Sequence, residues 1–202
     1  MSEIVVLSGS PSEVSRSNAV LRYIGSTLEE KGFSVTHISV RDVPQDVLFN
    51  GEFNSLVIQR ITSLIKEAKG VIVGTPVYKS SYSGILKALV DLLPQDVLED
   101  KTVLPLMTGG SSSHLLAMEY TLKPLLASLK GMNLKGVYFV DSQIDKRNTA
   151  NPIVHTNALE RLTKQVEYFT KSISKKTDEN LTIKIFLKIM NYRMCKQKGE
   201  EQ

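Results

Sequence analysis

The sequence predicts a three-layer α/β sandwich, with a five-stranded parallel sheet in the order 2-1-3-4-5 and helices on both faces. Three observations carry this. Five short apolar runs read as strands, and the first, Ile4-Val5-Val6-Leu7, is β-branched and unbroken, as suits a strand buried on both faces. Segments of helical period separate them. Right-handed crossovers then leave few topologies, and a count of five strands favours this order over a six-stranded dinucleotide fold.

The elements follow in order. Ile4-Val5-Val6-Leu7 is the first strand. Residues 16–31 form a helix with Val20, Leu21, Ile24 and Leu28 on one side, stopped by Gly32. Phe33 to Val40 alternates as a second strand, and residues 41–54 read as a loop. Leu56, Ile58, Ile61, Leu64 and Ile65 mark the second helix. Gly70 to Gly74 is the third strand, closed by Thr75-Pro76. A helix over 84–93, a strand from Lys101 to Met107, and a helix over about 114–130 come next. Gly136 to Val140 is the fifth strand and 156–173 the last helix. No internal repeat is present.

With 202 residues, 42% hydrophobic and 23% charged, the chain has the composition of one globular domain, which excludes disordered and collagen-like classes. Residues 1–175 are expected to form that domain, and 176–202 a basic extension. A single cysteine and three histidines give no disulfide and no metal cluster, so no metal is expected. The net charge of +4 lies in the tail: residues 1–170 hold 17 Lys+Arg and 17 Asp+Glu, and residues 171–202 hold 8 and 4. A neutral body is a poor trap for phosphate backbones, so no nucleic-acid partner is expected. No apolar run reaches the ~20 residues of a membrane span. The acidic start Met1-Ser2-Glu3-Ile4 runs into a strand, so no signal peptide is read and a cytoplasmic location is expected.

In such sheets ligands bind beyond the carboxyl ends of the strands. The loop after the first strand holds Ser10, Ser15, Arg16, Ser17 and Asn18 at a helix start, where amides and the helix dipole favour an anion. It is neither G-x-G-x-x-G nor a P-loop, so a lone monophosphate fits better than a pyrophosphate. The plain alternative is that Ser15 or Ser17 caps the helix. The loop after the third strand, Pro76-Val77-Tyr78-Lys79 with Tyr82-Ser83-Gly84, can lie along a flat polar ring, or its tyrosines can be ordinary packing aromatics. The loop after the fourth, Thr108-Gly109-Gly110, permits close backbone approach, while His114 reads as a residue near a helix start. No G-x-S-x-G elbow follows a strand, so a Ser-His-Asp hydrolase is disfavoured, and Asp141 reads as a strand-end residue.

These three loops, in this order, resemble the NADPH-dependent FMN reductase family of flavodoxin-like fold, and in particular the flavin reductases of alkanesulfonate-utilising two-component systems. The matching residues are Gly9-Ser10-Pro11 with Ser15-Arg16-Ser17, Thr75 to Lys79 with Tyr82-Ser83-Gly84 and Leu86-Lys87, and Leu104-Pro105-Leu106 with Thr108-Gly109-Gly110. His114 to Ala117, Tyr120, Leu122-Lys123-Pro124 and Asp141-Ser142-Gln143 continue the match, which spans about residues 3–170. The resemblance implies that Ser10, Ser15, Arg16, Ser17 and Asn18 hold the FMN phosphate. Pro76 to Lys79 and Tyr82 to Gly84 line the ring, and Thr108 to Gly110 close its other edge. The family often carries Arg after Gly-Ser-Pro, where this chain has Ser12, so one charge-assisted contact is missing.

The activity so implied is hydride transfer from NADPH to FMN, with reduced flavin supplied to a flavin-dependent monooxygenase. The cofactor carries the chemistry, and no catalytic side chain is assigned. The alternatives are a tight-binding FMN quinone or azo reductase and a non-enzymatic flavodoxin-type electron carrier, with a non-flavin structural module ranked last. The choice between NADPH and NADH is left open.

Pro124 carries one independent argument. It lies in the run Leu115, Met118, Leu122, Leu125, Leu126 and Leu129, and it cannot bond the carbonyl of Tyr120 four residues back. A wide, π-type turn relieves the clash. The resemblance places Tyr120 at an interface of a homodimer or homotetramer, and a simple kink is the alternative. In the tail, Ile183, Phe186, Leu187, Met190 and Met194 fall at helical spacing among lysines, the pattern of a short amphipathic helix.

Overall fold

The computed structural model describes residues 3–175. The reading of 176–202 as a basic helical extension lies outside the described residues. The elements are β1 (Ile4–Ser8), α1 (Arg16–Glu30), β2 (Val35–Ser39), α2 (Gln45–Asn50), α3 (Leu56–Glu67), β3 (Gly70–Pro76), α4 (Gly84–Asp91) and β4 (Thr102–Gly109). A composite helical stretch follows, comprising a 3-10 turn (Ser112–His114), α5 (Leu115–Ala117), a π turn (Met118–Leu122) and α6 (Lys123–Ser128). The described residues end with β5 (Met132–Asn133), β6 (Val137–Val140) and a helix, α7, over 156–175.

The sheet is parallel, in the order β2-β1-β3-β4, with both β5 and β6 on the far edge of β4. Alternate strand residues serve opposite faces. Val5, Leu7, Val71, Val73 and Val103 pack with α3, α4 and the composite helix. Ile4, Val6, Ile72, Leu104 and Leu106 pack with α1 and α7. Both layers are closed by fully buried side chains, Leu86 and Leu89 on one face and Phe139 and Phe169 on the other. Among the described residues no helix is long and apolar enough to cross a membrane.

Two details differ from the sequence reading, and a third follows it. Residues 41–54 are not all loop: a 3-10 turn covers Val40–Asp42, and Gln45–Asn50 form α2, closed by Gly51 in the left-handed region (φ 69°). The far edge is two short strands rather than one. β5 pairs Thr102 and Val103, and β6 pairs Leu106 to Gly109, so the ladder skips the stretch around Pro105, which has no N–H to give. Gly136 makes the step between them: its φ is +75°, and a Cβ there would lie 2.5 Å from the Pro105 carbonyl. The helix over 114–130 is interrupted by the π turn, in which the Lys123 N–H donates to the Met118 carbonyl five residues back. This is the wide turn that Pro124 predicts.

Candidate functional site

The strands are in register such that Ser8 lies beside Gly74, Pro76 beside Thr108, and Gly109 beside Val140. Their carboxyl ends therefore share one rim, and the loops leaving them are stitched together. The Gly9 N–H donates to the Gly74 carbonyl and the Val77 N–H to the Thr108 carbonyl, both at 2.7 Å. Buried Ser83 ties the second loop to the first: its hydroxyl donates to the Gly9 carbonyl and accepts the Leu86 N–H, and its own N–H donates to Thr75 Oγ1.

A cavity of about 250 Å³ opens at this rim. Its walls are Ser12, Val14, Ser15 and Arg16 from the first loop, Pro76, Val77 and Tyr78 from the loop after β3, and Thr108, Gly109 and Gly110 from the end of β4. Asp141 and Lys146, beyond β6, complete it. Eight residues singled out in the sequence thus meet at one cavity: Ser15, Arg16, Pro76, Val77, Tyr78, Thr108, Gly109 and Gly110.

The others stand around it without lining it. The buried Ser10 hydroxyl accepts the Ser12 N–H and donates to the Ser12 carbonyl. Ser17 is buried and hydrogen-bonded to the Ser15 hydroxyl at 3.3 Å. Asn18 Nδ2 donates to the Glu13 carbonyl, and its side chain faces a neighbouring hollow. Lys79 sits at the tip of a two-residue turn, Tyr82 packs half-buried on the core, and Gly84 borders an apolar groove between α2 and α4. Tyr120 is 75% exposed in the π turn, away from the rim cavity, with Leu115 and Leu116 also exposed nearby.

The first loop ends in an N-cap: Ser15, extended at φ −122° and ψ 157°, accepts the Asn18 N–H. The amides of Arg16 and Ser17 have no helical carbonyl to bond, so the cavity wall carries a helix N-terminus suited to an anion. The Arg16 side chain is committed elsewhere. Its Nη1 lies 3.2 Å from Asp141 Oδ2, and its Nε donates to the Asp141 carbonyl at 3.1 Å, clamping α1 to the end of β6. Under the opposite wall, Tyr138 donates its hydroxyl to the Ser111 carbonyl. Burial, reinforced by Asp141, pushes the Tyr138 phenol up, so it stays protonated. A Cβ on Gly109 would lie 2.5 Å from that hydroxyl, which explains the glycine there.

Ser12 was noted in the sequence only as a departure, Asp141 as a strand-end residue within the matching stretch Asp141-Ser142-Gln143, and Val14 and Lys146 not at all. The signal for Lys146 was positional. In a parallel sheet the loop after the edge strand reaches the same rim as the others. Among the described residues no cluster of three or more His, Cys, Asp or Glu is placed to hold a metal ion.

The fold agrees with comparisons to known proteins. The sequence profile described as NADPH-dependent FMN reductase matches residues 2–146. The chain is 41% identical over 175 residues to the FMN reductase (NADPH) of Pseudomonas putida KT2440, covering 86% of this chain and 89% of that one. It is 44% identical over 143 residues to the FMN reductase (NADPH) of Escherichia coli K12, covering 70% and 74%. Among solved structures it is similar to the apo form of an NADH:FMN oxidoreductase, EMOB, with a TM-score of 0.74 and 33% identity over 85% of this chain and 90% of that one.

Proposed function

Because the chain belongs to the NADPH-dependent FMN reductase family, we propose that the rim cavity takes FMN as a passing substrate, whose reduced form leaves for a partner monooxygenase of the alkanesulfonate type. The chain is an oxidoreductase, and its cofactors are FMN and NADPH. The cavity's polar character fits the flavin: a capped helix N-terminus at one end and backbone edges with small side chains along the rest.

The phosphate end belongs at the amides of Arg16 and Ser17 and the Ser15 hydroxyl. Ser10 and Asn18 hold that loop in shape through their own backbone hydrogen bonds. Pro76, Val77 and Tyr78 flank the ring on one side, and Thr108, Gly109 and Gly110 on the other. Lys79, Tyr82, Ser83 and Gly84 set the second loop from behind. Bound flavin supplies the hydride-accepting centre. The chain's contribution is to orient two ligands and exclude water, which needs no acid or base of its own.

One observation supports release over retention. The only arginine of the first loop is tied to Asp141, and position 12 is a serine, so the phosphate end offers amides and hydroxyls in place of a guanidinium fork. The exposed Leu115, Leu116 and Tyr120 support a homodimer or homotetramer with Tyr120 at the contact. Dependence on NADPH supports a cytoplasmic location.

The test is NADPH oxidation by dialysed protein with and without added FMN. We expect a colourless protein whose turnover saturates with added FMN. Absence of FMN-dependent turnover overturns the reading. A yellow protein that keeps FMN through dialysis and reduces quinones or azo dyes makes it a tight-binding reductase instead.

A further inference from the structure

Beside the rim cavity lies a second hollow of about 380 Å³. The two share Val14, Ser15 and Lys146, so they are continuous around the first loop. On one side the second hollow is walled by a stripe of α1 and its N-cap. Ser15, Asn18, Ala19 and Arg22 recur at the i, i+3, i+4, i+7 spacing of one helix face. On the other side the segment beyond β6 supplies Lys146 and Arg147.

Three cations therefore converge: Arg22 from the second turn of α1, and Lys146 and Arg147 from the opposite wall. None of the three forms an ion pair among the described residues; the Lys146 ammonium reaches only the Val14 carbonyl, at 3.5 Å. Fewer acidic groups lie nearby, and of these only Asp145 is not ion-paired among the described residues. Glu13, in the wall, is paired with Arg41 at 3.4 Å, and Asp145 accepts the Arg147 backbone N–H. In a body of balanced charge this is a local excess of positive charge, in a concave site of mixed polar and apolar lining.

We propose that this hollow is the subsite for the adenosine 2′-phosphate of NADPH, with Arg22 and Arg147 as the residues that select NADPH over NADH. The proposal rests on the reductase reading above. The 2′-phosphate is the one group that distinguishes the two nucleotides, and it is a dianionic monoester, the ligand that convergent guanidinium groups bind best. Continuity with the rim cavity lets one ligand span both, with its nicotinamide end beside the flavin site and its adenosine end between α1 and Arg147.

The experiment is calorimetric titration of the full chain, saturated with FMN, with adenosine 2′,5′-bisphosphate and with adenosine 5′-monophosphate. We expect the bisphosphate to bind about tenfold tighter or better. Arg22→Gln and Arg147→Gln should each erase much of that difference, and the double variant all of it, with circular dichroism verifying that the variants are folded. Equal binding of the two ligands by the wild type, no detectable binding of the bisphosphate, or a preference that survives in the folded double variant overturns the proposal. The kcat/KM ratio for NADPH over NADH in FMN reduction should fall in parallel. A wild type that reduces FMN with neither nucleotide sinks the reductase reading itself, whereas one that reduces FMN but does not distinguish the two adenosine phosphates sinks only the subsite.

Discussion

The Ser83 hydroxyl, enclosed between two loops, donates to the Gly9 carbonyl and accepts the Leu86 N–H that opens α4. Replacing Ser83 with alanine strands the buried Gly9 carbonyl and removes the cap from the Leu86 N–H, which keeps only the Ser83 carbonyl at 3.1 Å. Losing a helix cap costs about 1 kcal/mol, and leaving a buried carbonyl unpaired costs about 1–3 kcal/mol. The expected loss for Ser83→Ala is therefore about 2–4 kcal/mol in urea unfolding; a loss below about 1 kcal/mol would show that the loops are held together elsewhere. In the sequence Ser83 reads as a ring-lining residue, because spacing brings it to the right loop but cannot say which way its hydroxyl turns. Arg16 is similar: its position beside the helix start is legible, but the partner 125 residues away that claims its guanidinium is not. Lys146 is a third kind of miss. Nothing in its local sequence marks it, and only the shared rim of a parallel sheet brings it to the cavity.

Among the elements, the turn at the tip of the second loop runs against its own sequence. Tyr78 and Ser81 exchange backbone hydrogen bonds at 2.8 and 3.1 Å, and the two residues between them, Lys79 and Ser80, have φ of 50° and 62°. Two consecutive positive φ values in a two-residue hairpin are the geometry that favours Asn-Gly, and neither residue here is suited to it. A left-handed conformation costs a residue with a Cβ about 1–2 kcal/mol, whereas glycine gives back about 0.5–1 kcal/mol in unfolded-chain entropy. Ser80→Gly should therefore stabilise the chain by about 0.5–1 kcal/mol, read as a raised denaturation midpoint. A lowered midpoint would mean that the exposed hydroxyl contributes more than the strain removed. The same scale shows where periodicity runs out. The long helices and the apolar strands are legible because several residues vote for each. In α2 only Val47 is buried and Phe49 is 92% exposed, so no helical stripe exists to be read, although Pro44 before it and Gly51 after it mark both ends. β5 is too short to show a pattern. The π turn is legible because its cause is a single residue, Pro124, whose missing N–H acts on a position that can be counted.

At the scale of the whole molecule, the cavity is held by loops from four strands, and each strand's position depends on a different part of the core. A ligand that binds there binds only the assembled fold, so it stabilises the whole chain. At a hundredfold excess over its dissociation constant that amounts to about 2.7 kcal/mol, and for a chain of this size each kcal/mol raises the melting temperature by about 2–4 °C. FMN at that concentration should raise the melting temperature by about 5–10 °C. The comparison with riboflavin is sharper, since it carries the same ring without the phosphate. If the helix N-terminus behind Ser15 anchors the anion, riboflavin at equal concentration should give a clearly smaller shift, and added inorganic phosphate should reduce the FMN shift without touching the riboflavin one. Equal shifts from FMN and riboflavin, indifferent to phosphate, would mean that the ring alone is recognised and that the start of α1 caps its helix and nothing more.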